Sequence, residues 1–287
     1  MLEILAVIIL GIVEGITEWV PVSSTGHMIL IYKIFGIDPA ESFWEMFLVV
    51  IQFGAIMAVI IMFFKRLWPF RKPDPDAVGG AKVLSVFKVP KMIMWAKILV
   101  SCIPAAVIGL TIDDWIEATL YNEVTVALML ILYGVLFILV ETRNKKRPPT
   151  VRKISEIGWI LAFAIGIFQA LAIVPGTSRS GATILGGIFL GMSRKCVSEY
   201  TFFLAVPTMF GASLLKIIKF LSSGGGFTGL QVFYLILGMG IAFAVSMGSI
   251  AMLMNYIRKH DFKIFGKYRI ALGLVVLLVF AVGQAIH

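Results

Sequence analysis

Glu14 and Glu18 stand four residues apart in the run Glu14-Gly-Ile-Thr-Glu18-Trp-Val-Pro21-Val-Ser23-Ser24-Thr25-Gly26-His27. On a helix that spacing puts both carboxylates on one face, about one turn apart. Such a pair can hold a divalent cation through oxygen ligands, or one member can act as a general base. The plainer role is an interfacial pair capping a hairpin. Ser23, Ser24, Thr25 and His27 follow beyond a proline turn. Any single hydroxyl could simply cap the next helix. A hydroxyl cluster beside a lone histidine says more, because an imidazole near serine suits activation of that hydroxyl or direct attack on phosphorus. The other two histidines, His260 and His287, lie in a basic loop and at the terminus.

A second polar run reads Pro175-Gly176-Thr177-Ser178-Arg179-Ser180-Gly181. A guanidinium among apolar residues needs an anion, and its planar fork matches phosphate oxygens bidentately. The small neighbours let backbone N–H groups and a helix N-terminus face the same anion. An ion pair between Arg179 and Glu14 or Glu18 is the alternative, and it is compatible with substrate binding. Acids, hydroxyls, imidazole and guanidinium together are what a phosphoryl-transfer site requires.

The elements that must position these groups are membrane helices. The 287 residues are 60% apolar and 14% charged, with a mean hydropathy of +0.98, which excludes an ordinary soluble domain. Apolar runs fall at roughly 4–20, 22–35, 43–64, 97–112, 124–140, 154–174, 179–192, 200–220, 231–256 and 269–286, several near the ~20 residues a crossing helix needs. The connection 65–97 carries Lys65, Arg66, Arg71, Lys72, Lys82, Lys88, Lys91 and Lys97 against Asp74 and Asp76. The positive-inside rule makes it cytoplasmic, along with 141–153 and 257–269. The acidic stretch 113–123, with Asp113, Asp114, Glu117 and Glu123, and the Ser/Gly turn 221–229 fall outside. These assignments fix six crossings and leave two hairpins, 4–35 and 154–192, entering from opposite sides.

The net charge of +9 lies beside apolar segments, where it orients the chain and does not point to nucleic acid. Cys102 and Cys196 are far apart and read as packing residues. The first 21 residues lack a basic leader and carry Glu3, Glu14 and Glu18, so they read as part of the mature fold.

The hairpins also match each other at a constant shift of 155: Gly11-Ile12 meets Gly166-Ile167, Glu14 meets Gln169, Ser23 meets Ser178, Thr25 meets Ser180, and Gly26 meets Gly181. The expected fold is therefore an all-α polytopic membrane protein, an inverted-topology repeat of two halves, each a re-entrant helical hairpin plus three transmembrane helices. Residues 1–287 form one integral-membrane domain, with repeats 1–141 and 154–287 joined by a basic cytoplasmic loop. Irregular backbone at membrane depth survives only where protein or a wet cavity satisfies it, so the two tips should line a pocket.

At these residues the chain resembles the undecaprenyl pyrophosphate phosphatases, the bacitracin-resistance family. The stretches are EGITEWVPVSSTGH at 14–27, VVIQFGA at 49–55, PGTSRSGAT at 175–183 and GMSRKCVSEYTFFLAVP at 191–207. The resemblance implies an enzyme of the bacterial inner membrane that removes the terminal phosphate of undecaprenyl pyrophosphate, using Mg²⁺ or Ca²⁺ at a site opening to the outer face. It makes Glu14 and Glu18 the acidic motif, Ser24 and His27 the candidate nucleophile and partner, and Arg179 the phosphate-binding arginine. Gln52 and Arg194 take supporting roles. Leu48 departs from the family, where glutamate often stands, and Glu45 lies three residues earlier, so an acid from this helix lacks support as a site residue.

On this reading Glu18, Ser24, His27 and Arg179 are catalytic. Ser23, Thr25, Thr177, Ser178 and Ser180 bind substrate with Arg179, while Glu14 and Glu18 hold the metal. The expected partners are a polyprenyl pyrophosphate lipid and the bilayer, with a second copy of the chain as a further candidate. The rival class is a transporter or flippase of polyprenyl phosphate, since inverted repeats are also a transporter architecture; the Ser/His pairing favours the enzyme.

Overall fold

A chain in hydrocarbon must bond its own N–H and C=O groups, and the helix is the local way to do so. The computed structural model describes residues 2–38, 41–76, 84–145 and 147–286. Lys82, Lys146 and His287 lie outside the described residues, as do the side chains of Asp113, Asp114 and Glu117. The regular elements among the described residues are helical, apart from isolated bridges pairing Phe70 with Phe87 and Val151 with Met192. The main helices are α1 Leu2–Thr17, α2 Ser24–Phe35, α3 Ser42–Met62, α4 Val89–Leu120, α5 Glu123–Asn144, α6 Trp159–Ala170, α7 Arg179–Phe189, α8 Arg194–Ser222, α9 Gly229–Tyr256 and α10 Lys263–Ile286. Six of these, α3 to α5 and α8 to α10, are long and apolar enough to cross a membrane. The chain is thus a polytopic helical membrane protein.

The hairpin arms are different. The four short helices α1, α2, α6 and α7 have 16, 12, 12 and 11 residues. At ~1.5 Å per residue they reach roughly 16 to 24 Å, short of a ~30 Å hydrocarbon core.

Element ends follow local chemistry. Asn122 caps α5 by accepting from Thr125 N at 2.9 Å, Ser193 caps α8, and Thr228 and Gln231 form a reciprocal capping box at the start of α9. Two expected boundaries move. The span at 97–112 is the middle of a 32-residue helix, α4, which starts at Val89 with Pro90 in its first turn and continues through the acidic stretch expected to be loop. Acids do not break a helix, and no glycine or proline interrupts 110–120; the turn shrinks to Tyr121 and Asn122. The basic segment 257–269 likewise is helical from Lys263 onward.

The helices interleave across the chain. Helix α5 packs along α10, α1 on α9, α6 on α4, and α3 against both α8 and α9. Small residues permit the close approaches that lipid-embedded helices rely on. A Cβ on Gly54 of α3 would fall 2.1 Å from the Met239 carbonyl oxygen of α9. The largest apolar cluster gathers Trp19 with Tyr200, Phe202 and Phe203 of α8. Large apolar side chains such as Ile160, Leu110 and Leu278 face outward at 88%, 74% and 64% exposure, as lipid contact requires.

Substituting Gly54→Val should force α3 away from α9 and destabilise the protein by about 1–3 kcal/mol. A lowered thermal midpoint in detergent is the readout; an unchanged midpoint would refute this packing.

Candidate active site

The chain turns sharply at both tips. After α1 the residues Glu18 to Val22 stay coiled, with Glu18 N donating to Glu14 O at 3.1 Å and Val20 N to Ile16 O at 3.2 Å. Ser23 then takes φ 72° and α2 begins. In the second tip a 3-10 turn at Leu171–Ile173 precedes Gly176 at φ 86°, and Ser178 takes φ 69° before α7 begins. Ser23 and Ser178 are the non-glycine residues with positive φ among the described residues. That region costs an L-residue roughly 1–3 kcal/mol, and such strain concentrates at functional sites.

The strained turns start each short helix abruptly. Ser178 Oγ accepts from Gly181 N at 3.1 Å and caps α7, so the plain capping role is realised there. Helix α2 has no side-chain cap, and Ser23 Oγ is buried without a partner. The first-turn N–H groups of α2 therefore keep their capacity for an anion.

Glu18 and Arg179 join the tips. Arg179 donates from Nε and Nη2 to Glu18 Oε1 at 3.0 and 2.9 Å, and from Nη1 to Thr201 O of α8 at 3.1 Å. The pair is largely buried, at 14% and 9% side-chain exposure. Glu14, one turn before Glu18, is 2% exposed with Oε1 unpartnered. The groups that act on it electrostatically are Glu18, Gln52 of α3 and Arg179.

The hydroxyls split into two groups. Ser24 and Thr25 are half-buried and make no hydrogen bond among the described residues. Thr177 is fully buried with Oγ1 unpartnered, and Ser180 is buried with its Oγ 3.3 Å from that of Ser178. His27 is differently placed from the expected serine partner. Its Nδ1 lies 2.7 Å from Ser23 O and its Nε2 2.7 Å from the Tyr268 hydroxyl, on whose ring it stacks. A carbonyl only accepts, so in the neutral ring Nδ1 carries the proton and Nε2 accepts from Tyr268. No hydrogen bond joins His27 to Ser24.

Arg269 corrects the sequence reading most. Counted with the basic loop 257–269, it is fully buried in α10. Its Nη2 donates to Gly176 O and Thr177 O at 2.8 and 2.9 Å, and its Nη1 to Pro21 O at 3.4 Å. Its guanidinium lies 5.6 Å from the centre of the Tyr133 ring. One side chain thus ties both tips through backbone carbonyls. Arg194 and Glu45 stand elsewhere. Arg194 pairs bidentately with Glu141 at 2.8 and 2.6 Å, and Glu45 pairs with Lys216.

A cavity of about 530 Å³ adjoins the tips. Arg179, Gln52 and Gln169 give it polar groups, and it follows α8 from Pro207 past Met209 and Leu215 to Lys219, a run of ~18 Å at helical rise. Gln169 is the second residue that sequence reasoning left without a role. A neutral amide in an apolar run costs less than a charge and gives a weaker signal.

A buried cluster of acids, hydroxyls and a guanidinium where two hairpin tips meet makes this a membrane-embedded protein built to bind and process an anionic group. The chain belongs to the family described as bacitracin resistance protein BacA, whose model matches residues 7–275. It is 54% identical over 282 residues to the undecaprenyl-diphosphatase of Desulfitobacterium hafniense, covering 98% of this chain and 97% of the relative. It is 51% identical over 281 residues to that of Enterococcus faecalis, covering 98% of each. The undecaprenyl-diphosphatase of Acetivibrio thermocellus is 50% identical over 280 residues, again covering 98% of each.

Replacing Arg269 with Met leaves buried carbonyls in both tips without their donor, at about 1–3 kcal/mol for each unsatisfied group. The variant should lose thermal stability in detergent while Arg269→Lys retains part of it. Equal midpoints for wild type and Arg269→Met would show that the clamp holds nothing.

Proposed function

We propose that this chain hydrolyses undecaprenyl pyrophosphate to undecaprenyl phosphate and inorganic phosphate, recycling the lipid carrier of bacterial cell-wall synthesis. The observation that carries the reading is the Arg179–Glu18 contact, which brings residues 161 positions apart to one buried place. The near-full-length identity to undecaprenyl-diphosphatases supports the substrate.

Arg179 binds the terminal phosphate through its fork, aided by the uncapped N–H groups of α2. Ser24 Oγ attacks the terminal phosphorus, the bond from phosphorus to the bridging oxygen breaks, and the lipid leaves as a monophosphate. Water then releases phosphate from the serine. The Ser24 proton passes to a carboxylate of the Glu14–Glu18 pair, since both nitrogens of His27 are engaged. His27 instead fixes the turn at Ser23. Neutralisation and positioning supply most of the rate, as in other phosphoryl transfers.

Glu14 and Glu18 would hold a divalent cation, Mg²⁺ or Ca²⁺. Among the described residues no three His, Cys, Asp or Glu side chains converge. Two carboxylates fit a cation that takes its other ligands from water and the diphosphate, and the unpartnered Glu14 Oε1 is an available donor. When bound, the cation supplies charge neutralisation at the phosphate oxygens.

We further infer that the halves 1–141 and 154–287 are inverted repeats with re-entrant hairpins. Ser23 and Ser178, matched by the 155-residue shift, share the same rare backbone angle. Helix α1 packs on α9 as α6 packs on α4, and α7 meets α5 as α2 meets α10. We infer that the cavity end near Lys219, toward the 221–229 turn, opens to the outer face, a reading the charge pattern supports. The prenyl chain enters between helices along the apolar wall.

Purified protein in detergent should release phosphate from polyprenyl pyrophosphate, which transport alone would not do. Arg179→Ala and Glu18→Ala should each lower kcat/KM by at least about 100-fold; turnover near wild type in both would sink the assignment. Chelation should abolish phosphate release and Mg²⁺ or Ca²⁺ should restore it, while full activity in chelator would remove the metal from the scheme.

A further inference from the structure

Gln169 sits at the end of α6, 3% exposed, on the wall of the same cavity as Arg179 and Gln52. Both atoms of its amide, Oε1 and Nε2, lack any hydrogen-bond partner among the described residues. Buried amides are almost always bonded, so an amide with neither end satisfied beside a cavity is waiting for a ligand or water. Gln52, the other amide on this wall, is near enough to Glu14 to act on its carboxyl.

We propose that Gln169 contacts the substrate, Nε2–H donating to an oxygen of the diphosphate and Oε1 accepting from the water that then releases phosphate from the serine. The inference rests on the diphosphatase reading above and adds a residue to it. An ionised diphosphate offers only acceptors, so the amide nitrogen must face it, leaving the oxygen for an O–H donor. The neutrality matters. Position 169 corresponds to Glu14 in the repeat, and a third carboxylate here would repel the anion that Arg179 attracts. An amide of the same shape bonds the anion without that cost.

Gln169→Ala and Gln169→Glu would be purified in detergent, with kcat and KM for polyprenyl pyrophosphate measured across pH and thermal midpoints recorded. Gln169→Ala should lose about 10- to 100-fold in kcat/KM with an unchanged midpoint. Gln169→Glu keeps the shape and, protonated, keeps a donor. It should approach wild type at low pH and show a falling limb, absent from wild type, as the new carboxyl ionises. Wild-type kinetics in Gln169→Ala would overturn the proposal. So would a Gln169→Glu profile parallel to wild type, which assigns the residue to packing or to ordered water; that arm decides if the alanine variant does not fold. Absence of phosphate release by the wild type would instead overturn the diphosphatase reading itself.

Discussion

A charge buried away from water must be met by an opposite charge or by oriented dipoles, and the meeting of Arg179 with Glu18 organises this molecule. Leaving either ion alone in the interior would cost several kcal/mol. The pair spans the two hairpins, so parting them exposes both ions together. The short arms, the abrupt turns and the crowding of small residues at the tips all serve to bring those two side chains within reach. Glu18 offers one oxygen, Oε1, to both Arg179 nitrogens.

Arg269 solves the same problem by another route. Its charge meets carbonyl oxygens at 2.8 and 2.9 Å and an aromatic face. Carbonyls at a turn have no helix partner, so the arginine satisfies them while they satisfy it. The strained serines at the two turns persist because the surrounding contacts over-determine them. Gly176 shows how tight that enclosure is, since a Cβ there would lie 2.5 Å from the Val126 carbonyl oxygen of α5.

The acids at 14 and 18 and the arginine at 179 were legible because charge inside apolar sequence is expensive and seldom retained without use. The six long helices were legible from hydropathy for a related reason. Arg269 was not, because a cation next to Lys263 and Lys267 reads as an orientation signal, and only the packing of α10 against α5 buries it. The contacts of His27 were not legible. Its residue type suggested a base for Ser24, but its partner, Tyr268, lies 241 positions away, beyond any local pattern. The extension of α4 through 113–120 escaped because an acidic stretch resembles a loop by composition, yet this one holds no glycine or proline to break a helix.

The acids belong to the first hairpin and the guanidinium to the second, which has a consequence for how such a molecule can be assembled. Two first hairpins set face to face would bring four carboxylates together with no cation among them, and two second hairpins would oppose two guanidinium groups. Only the mixed pairing sets a cation against an acid. Joining both segments in a single polypeptide guarantees that stoichiometry at synthesis, so a severed version would have to find its complement in the bilayer before either fragment became stable.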